Sequence, residues 1–139
     1  MWRVWWTKRT YREKLNMNFI ELLGRIFLSA IFLINGFGKI FHYEGTIQYM
    51  ENFNVSGTLI IPAIIVEIVF PILLIIGYQT RFSAFVLSLF TLALAVIFHT
   101  DFSDQIQVIS FLKNIAIAGG FLIILFRGAG KYSIDHKPN

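Results

Sequence analysis

The chain predicts an all-α integral membrane protein, a four-helix bundle with both termini on the cytoplasmic side. Three observations carry that expectation. Hydrophobic residues make up 56% of the 139 positions and charged ones only 14%, more apolar surface than a soluble core of this size can hide. The apolar residues gather into four runs of about membrane length, at 19–41, 59–77, 82–98 and 108–126. The cations flank those runs on alternate sides. Positive charge sits in the leader, in the 78–81 turn (Arg81) and in the tail, while the two remaining loops are acidic and hold no Lys or Arg, the pattern of the positive-inside rule.

The net charge of +4 does not point to nucleic acid, because most of it lies beside apolar runs. There is no cysteine, which removes disulfides, thiolate metal sites and the small membrane enzymes that work through a Cys-x-x-Cys pair.

Residues 1–18 form a basic, tryptophan-rich segment. Arg3, Lys8, Arg9, Arg12 and Lys14 stand against Glu13, with Trp2, Trp5, Trp6 and Tyr11 between them. Aromatic rings at headgroup level and cations facing anionic lipid suit a cytoplasmic interfacial segment. An RNA-stacking platform is the weaker reading. The long basic lead and the absence of a small-x-small site argue against a cleaved signal peptide.

In the first span Arg25, Ser29, Phe32, Gly36 and Lys39 recur at steps of three and four, so they share a helical stripe that should face protein rather than lipid. Gly36-Phe37-Gly38-Lys39 lacks the spacing and the preceding strand of a phosphate loop. The loop that follows carries Glu44 and Glu51. Its Ile47, Met50, Phe53 and Asn54 have the spacing of a short helix lying on the outer surface.

The second span places Pro62 in its first turn, where a missing N–H is harmless. It carries Glu67 near its centre and Pro71 four residues on, expected to kink the helix and free a carbonyl near Glu67. In the third span Ala84, Ser88, Thr91, Ala95 and His99 form a small and polar stripe suited to close packing. The fourth span contains Lys113 and Asn114 just inside its start. Lys113, Ala116, Gly120 and Arg127 share one face, flanked by Gly119, and the short tail 128–139 opens with Gly-Ala-Gly-Lys-Tyr.

A lysine inside a membrane helix is costly, roughly 2.5–3.5 kcal/mol at its centre, and needs a partner. At about 1.5 Å of rise per residue, Glu67 falls near the midplane, with Asn35, Lys113 and Asn114 roughly 4–8 Å outward of it. Lys39 and His99 fall at the outer boundary, where Lys39 can snorkel; Arg25 and Arg81 belong to the inner side. The expected pair is therefore Glu67 with Lys113, the two asparagines satisfying the remaining polar atoms.

Three readings of this layer stay open: structural glue fixing helix register, a polar pocket for a quinone head or small anion, and a proton or ion path. One acid and two outer-side histidines make a poor relay across the full thickness. Haem ligation by His42 and His99, or a metal among His42, Glu44, His99 and Asp101, lacks diagnostic spacing, so no metal site is assigned. No nucleophile–base set or nucleotide loop is found.

Taken in order, several short motifs resemble the DoxX family of small four-helix bacterial membrane proteins. They are Leu23-Gly24-Arg25, Gly36-x-Gly38-Lys39, the central Glu67, Thr80-Arg81, His99, Lys113-Asn114, Ala118-Gly119-Gly120 and the closing Gly128-Ala129-Gly130-Lys131-Tyr132-Ser133-Ile134-Asp135. The similarity covers about residues 19–135, and the tryptophan-rich lead lies outside it. The resemblance implies a multi-pass protein of the bacterial inner membrane working with other subunits of a membrane complex. Some relatives look like membrane subunits of thiosulfate:quinone oxidoreductase, and a mycobacterial one is associated with superoxide dismutase and a sulfurtransferase. It favours Arg25, Lys39, Glu67, His99, Lys113 and Asn114 as a shared site or scaffold.

Two functions follow as expectations. One is the membrane subunit of a quinone-linked redox complex, with Glu67 and Lys113 catalytic and with Arg25, Asn35, Lys39, His99 and Asn114 binding substrate or quinone. The other is a non-catalytic anchor or assembly subunit. The chain offers no cofactor motif of its own, so redox activity requires quinone or a cofactor carried by a partner.

Overall fold

The computed structural model describes residues 11–137, all helix and connecting loop. Trp2, Arg3, Trp5, Trp6, Lys8 and Arg9 of the interfacial reading lie outside the described residues. Five α-helices follow in order: α1 (Tyr11–Phe41), α2 (Tyr43–Asn52), α3 (Ile60–Ile76), α4 (Thr80–Phe98) and α5 (Gln105–Arg127), with a single 3-10 turn, Gly57–Leu59, before α3. Four of them, α1, α3, α4 and α5, are long and apolar enough to cross a membrane. The short α2 occupies the loop where Ile47, Met50 and Phe53 predict it.

The helix ends explain where the predicted boundaries move. α1 has 31 residues, roughly 46 Å at helical rise, and so outruns a hydrocarbon core of about 30 Å. Its first turns carry Glu13, favourable at a helix N-terminus. α5 begins three residues earlier than the apolar run because Asp104 caps it, accepting from the Ile106 amide at 2.9 Å. α3 ends at Gly77, in the left-handed region (φ 71°), where the Tyr78 amide reaches back to Leu73 O at 3.0 Å in a Schellman-type stop. Pro71 is buried inside α3, and the helix continues past it to Ile76.

α1 packs on α3, α3 on α4 and α4 on α5, so each spanning helix packs on the next one in sequence. The core joins Phe32, Leu74, Ala84, Leu87 and Phe121, with the Phe32 and Phe121 rings 5.4 Å apart and tilted by 58°, a favoured aromatic arrangement. Outside it, large apolar side chains such as Phe27, Ile34, Val96, Ile123 and Phe126 are exposed, as lipid-facing groups must be.

The polar stripes of α1 and α4 face inward. Arg25, Ser29, Phe32 and Gly36 are buried, as are Ala84, Ser88, Thr91 and Ala95. The face assigned to α5 is different. Asn114, Ala118 and Phe121 are buried, whereas Lys113, Ala116 and Arg127 are exposed. Phe121 enters the core and Ser88 donates to Ala118 O at 3.3 Å, so the larger apolar residue, not the row of small ones, sets the rotation of α5. Gly120 still marks a close approach: a Cβ there would stand 3.1 Å from a Leu28 methyl of α1.

Candidate functional site

The two ends of the bundle are built differently. At the end bearing the tail, Arg25 is 1% exposed. It donates to Leu74 O at 3.1 Å and Ile75 O at 3.3 Å, and also to Tyr132 O. It thereby satisfies the last carbonyls of α3 and holds the tail across the bundle. Ile134 N bonds Ile76 O at 3.2 Å and Asp135 N bonds Gly77 O at 2.8 Å. The Asp135 carboxylate accepts from the amides of Gln79 (2.9 Å) and Thr80 (2.7 Å), capping α4 from 55 residues away in sequence. Gly77 lies under this clasp: a Cβ on it would meet Ser133 and the Arg25 guanidinium within 2.5 Å.

At the opposite end lies a cavity of about 840 Å³ between the long helices, roofed by α2. Its apolar wall includes Ile31, Val66, Phe90, Leu94 and Ile97. Into it face Asn35, Lys39, His42, Glu67, His99, Lys113 and Asn114, so the structure collects six of the seven proposed site residues round one space. Arg25 stands apart. It lies fourteen positions before Lys39 on the same helix, roughly 21 Å along the axis, and its donors belong to the tail clasp.

The ion pair in this cavity joins Glu67 to Lys39, not to Lys113. Lys39 Nζ is 2.7 Å from Glu67 Oε2 and 2.9 Å from Oε1. Gly36 makes this possible: a Cβ there would come within 3.1 Å of Glu67 Cβ and 2.9 Å of Ile68 Cγ1, so the backbones of α1 and α3 close up at that level. Lys113 is exposed on the cavity wall and makes no ion pair among the described residues. The pair is neutral and Lys113 leaves the cavity with surplus positive charge.

His99 Nδ1 lies 2.8 Å from Gln107 Oε1, tying the start of α5 to the end of α4. His42 Nδ1 lies 3.2 Å from Gly38 O. Among the described residues no group of three or more metal-ligating side chains gathers. The roof is what the residue pattern missed as part of the site. Tyr49, Met50 and Val55 line the cavity, and Tyr49 stacks on Phe98 at 5.5 Å while Phe53 meets the same ring at 5.2 Å. Tyr49 is exposed on one side, and its partial burial pushes the phenol above its ordinary pKa. The helical spacing of Ile47, Met50 and Phe53 was the available signal for this lid.

Four apolar helices around a buried ion pair and a cavity at one end define a polytopic membrane protein. The chain belongs to the DoxX family, whose pattern matches residues 20–100. It is 38% identical over 118 residues to the inner membrane protein YqjF of Escherichia coli (strain K12), covering 85% of this chain and 91% of that one. It is 35% identical over 123 residues to the inner membrane protein YphA of the same organism, covering 84% and 88%. No solved structure matches. With four spanning helices and inner-membrane relatives, this is a multi-pass inner-membrane protein.

Proposed function

We propose that the chain is the membrane subunit of a quinone-linked redox complex, with both termini cytoplasmic, and that the cavity beneath α2 seats the quinone head. The observation that carries this is the Lys39–Glu67 pair set into an otherwise apolar cavity of about 840 Å³. That volume lies within the roughly 300–1,000 Å³ of small-molecule sites, which are mostly apolar with a few convergent polar groups.

The residues fit a quinone. Its carbonyl oxygens need donors, and Lys113 and the amides of Asn35 and Asn114 line the space. Its apolar substituent needs a greasy wall, which Ile31, Val66 and Leu94 offer. A bound quinone supplies the capacity to accept electrons and protons, the electrons arriving from a partner subunit. The chain's own part is positioning and proton handling. Glu67, held by Lys39 at the cavity wall, is the carboxyl placed to take up or give up a proton at the quinone. Lys113 presents an uncommitted cation to developing negative charge.

The test is chemical protection of the full-length protein in mild detergent. Short-chain quinone is expected to shield Glu67 from a carboxyl-reactive probe and Lys113 from an amine-reactive one, and quinone should co-purify from native membranes. Labelling unchanged by quinone, with a stoichiometric protein partner and no quinone, would make the chain an anchor or assembly subunit and the polar layer its internal brace.

A further inference from the structure

We propose that the tail end of the bundle carries a binding site for the phosphodiester of an anionic membrane lipid, built on Arg127 and Lys131. The observation is a second cavity, about 340 Å³, lying between the first turns of α1, the last residue of α5 and the tail. Asn18, Arg127, Lys131, Ser133, Asp135 and His136 line it. Nothing in the cavity beneath α2 bears on it.

Its walls are fixed rather than loose. Gly128 and Gly130, at φ 85° and 72°, turn the chain back after α5. Gly130 fits against Glu21, whose Oε2 would lie 2.0 Å from a Cβ there. Beyond it, Arg25 holds Tyr132 O, and Ile134 and Asp135 are bonded to the end of α3. The Ser133 hydroxyl donates to Gly130 O at 2.6 Å, closing the loop on itself.

The electrostatics favour an anion. Arg127 and Lys131 are exposed and neither makes an ion pair among the described residues. Arg81 adds a third cation nearby, its Nε 3.6 Å from where a Cβ on Gly128 would sit. Two carboxylates border the space: Glu21 stands against Gly130, and Asp135 is committed to the amides of Gln79 and Thr80 and lies in the field of Arg25. Set against Arg127, Lys131 and Arg81, they favour a singly charged phosphodiester over a doubly charged free phosphate.

Position favours lipid as the source of that phosphate. Arg127 directly follows the apolar run of α5; Phe126 and Ile123 before it, and Phe19 and Ile20 after the lining residue Asn18, are exposed, apolar surface that acyl chains can cover. Basic pockets at the membrane end of helices recognise headgroups in this way.

The experiment uses the full chain in neutral detergent, with lipid retention followed by native mass spectrometry. Phosphatidylglycerol should be retained, phosphatidylcholine far less, and the R127Q/K131Q double variant should bind phosphatidylglycerol about thirty-fold more weakly. Both side chains are exposed, so helical circular dichroism of the variant should match the parent. Should the variant fail to fold, the salt dependence of retention in the parent decides, since an electrostatic headgroup site must release lipid as salt rises. Equal retention by parent and variant, or retention indifferent to salt, overturns the proposal. Retention of inorganic phosphate alone, at the level found for phosphatidylglycerol, would keep the anion site and overturn its assignment to lipid.

Discussion

Lys39 Nζ stands 2.7 Å from one oxygen of Glu67 and 2.9 Å from the other, bridging α1 and α3 where Gly36 lets the two backbones close. Glu67 has almost no exposure while Lys39 retains 22%, so the acid is the committed partner and the lysine the one with an escape toward the membrane surface. Side chains on a helix lean toward its N-terminus. On α1 that lean carries Lys39 inward, to the level of Glu67. On α5, which runs the other way, it carries Lys113 outward.

This geometry predicts an asymmetry between the two lysines. Lys39→Met leaves a carboxylate buried without its cation, which typically costs about 3–5 kcal/mol, and the folded yield after size-exclusion chromatography should fall sharply. Lys113→Met should leave yield and thermal midpoint near those of the parent. The double variant K39M/E67M should recover most of what K39M loses, since an apolar pair of similar size restores balance. A K113M protein that collapses while K39M folds normally would show that Glu67 relies on the other lysine.

The glycines of the bundle should rank by what a methyl group meets. Gly36→Ala drives a Cβ into Ile68 and Glu67 at 2.9 and 3.1 Å. It should destabilise by about 1–3 kcal/mol, the usual range for overpacking, and loosen the Lys39 contact with it. Gly120→Ala meets only the movable methyls of Leu28 at 3.1 and 3.2 Å and should cost less. Gly119→Ala has nothing within 4 Å and should be neutral or slightly stabilising, through helix propensity. Thermal midpoints in one detergent give the order, and a Gly119→Ala loss equal to that of Gly36→Ala would contradict the packing.

Much of this architecture was legible because membrane helices declare themselves by length and hydropathy, and because a buried stripe on an apolar helix has to be small or polar. That is how Arg25–Ser29–Gly36 on α1 and Ala84–Ser88–Thr91–Ala95 on α4 could be read. α5 resisted because it is apolar all round. Lys113 and Asn114 are adjacent, about 100° apart on the helix, and only packing of Phe121 decides that Asn114 turns inward. The Lys39 pairing was missed for a different reason. Rise per residue gives the depth of a Cα only, and a lysine reaches more than a helical turn from its own Cα. The tail clasp was visible only as a motif, since capping of α4 by Asp135 depends on a contact 55 residues distant.

Arg25 should govern the tail. Its guanidinium holds two carbonyls of α3 and one of the tail, and hydrogen bonds from charged groups contribute about 1.5–3 kcal/mol each. Arg25→Met should therefore free the segment after Gly128, and limited trypsin cleavage after Lys131 should accelerate by at least about tenfold, the factor that corresponds to ~1.4 kcal/mol. Cleavage at the parental rate would mean that the Ile134 and Asp135 backbone bonds hold the tail without it.

Asp135 should make the same clasp acid-sensitive. Partial burial pushes its carboxyl upward. The amides of Thr80 and Gln79 and the charge of Arg25 pull harder in the other direction, so it titrates below the ordinary aspartate range. A folded-state value below the unfolded one means that the stabilisation is fully present above the unfolded pKa of about 3.9. It is lost as pH falls through the lower, folded value. Asp135 is an exposed residue, so screening trims the effect, and the loss of a capping group, about 0.5–2 kcal/mol, is the better guide to its size. Asp135→Asn keeps one acceptor oxygen but no charge. It should lower the thermal midpoint at neutral pH and remove this site's share of the acid-dependent loss. The parent and variant curves should therefore converge as the pH falls below the aspartate range. Curves that stay parallel down to acid pH would assign the difference to altered packing of the tail and not to the charge on Asp135.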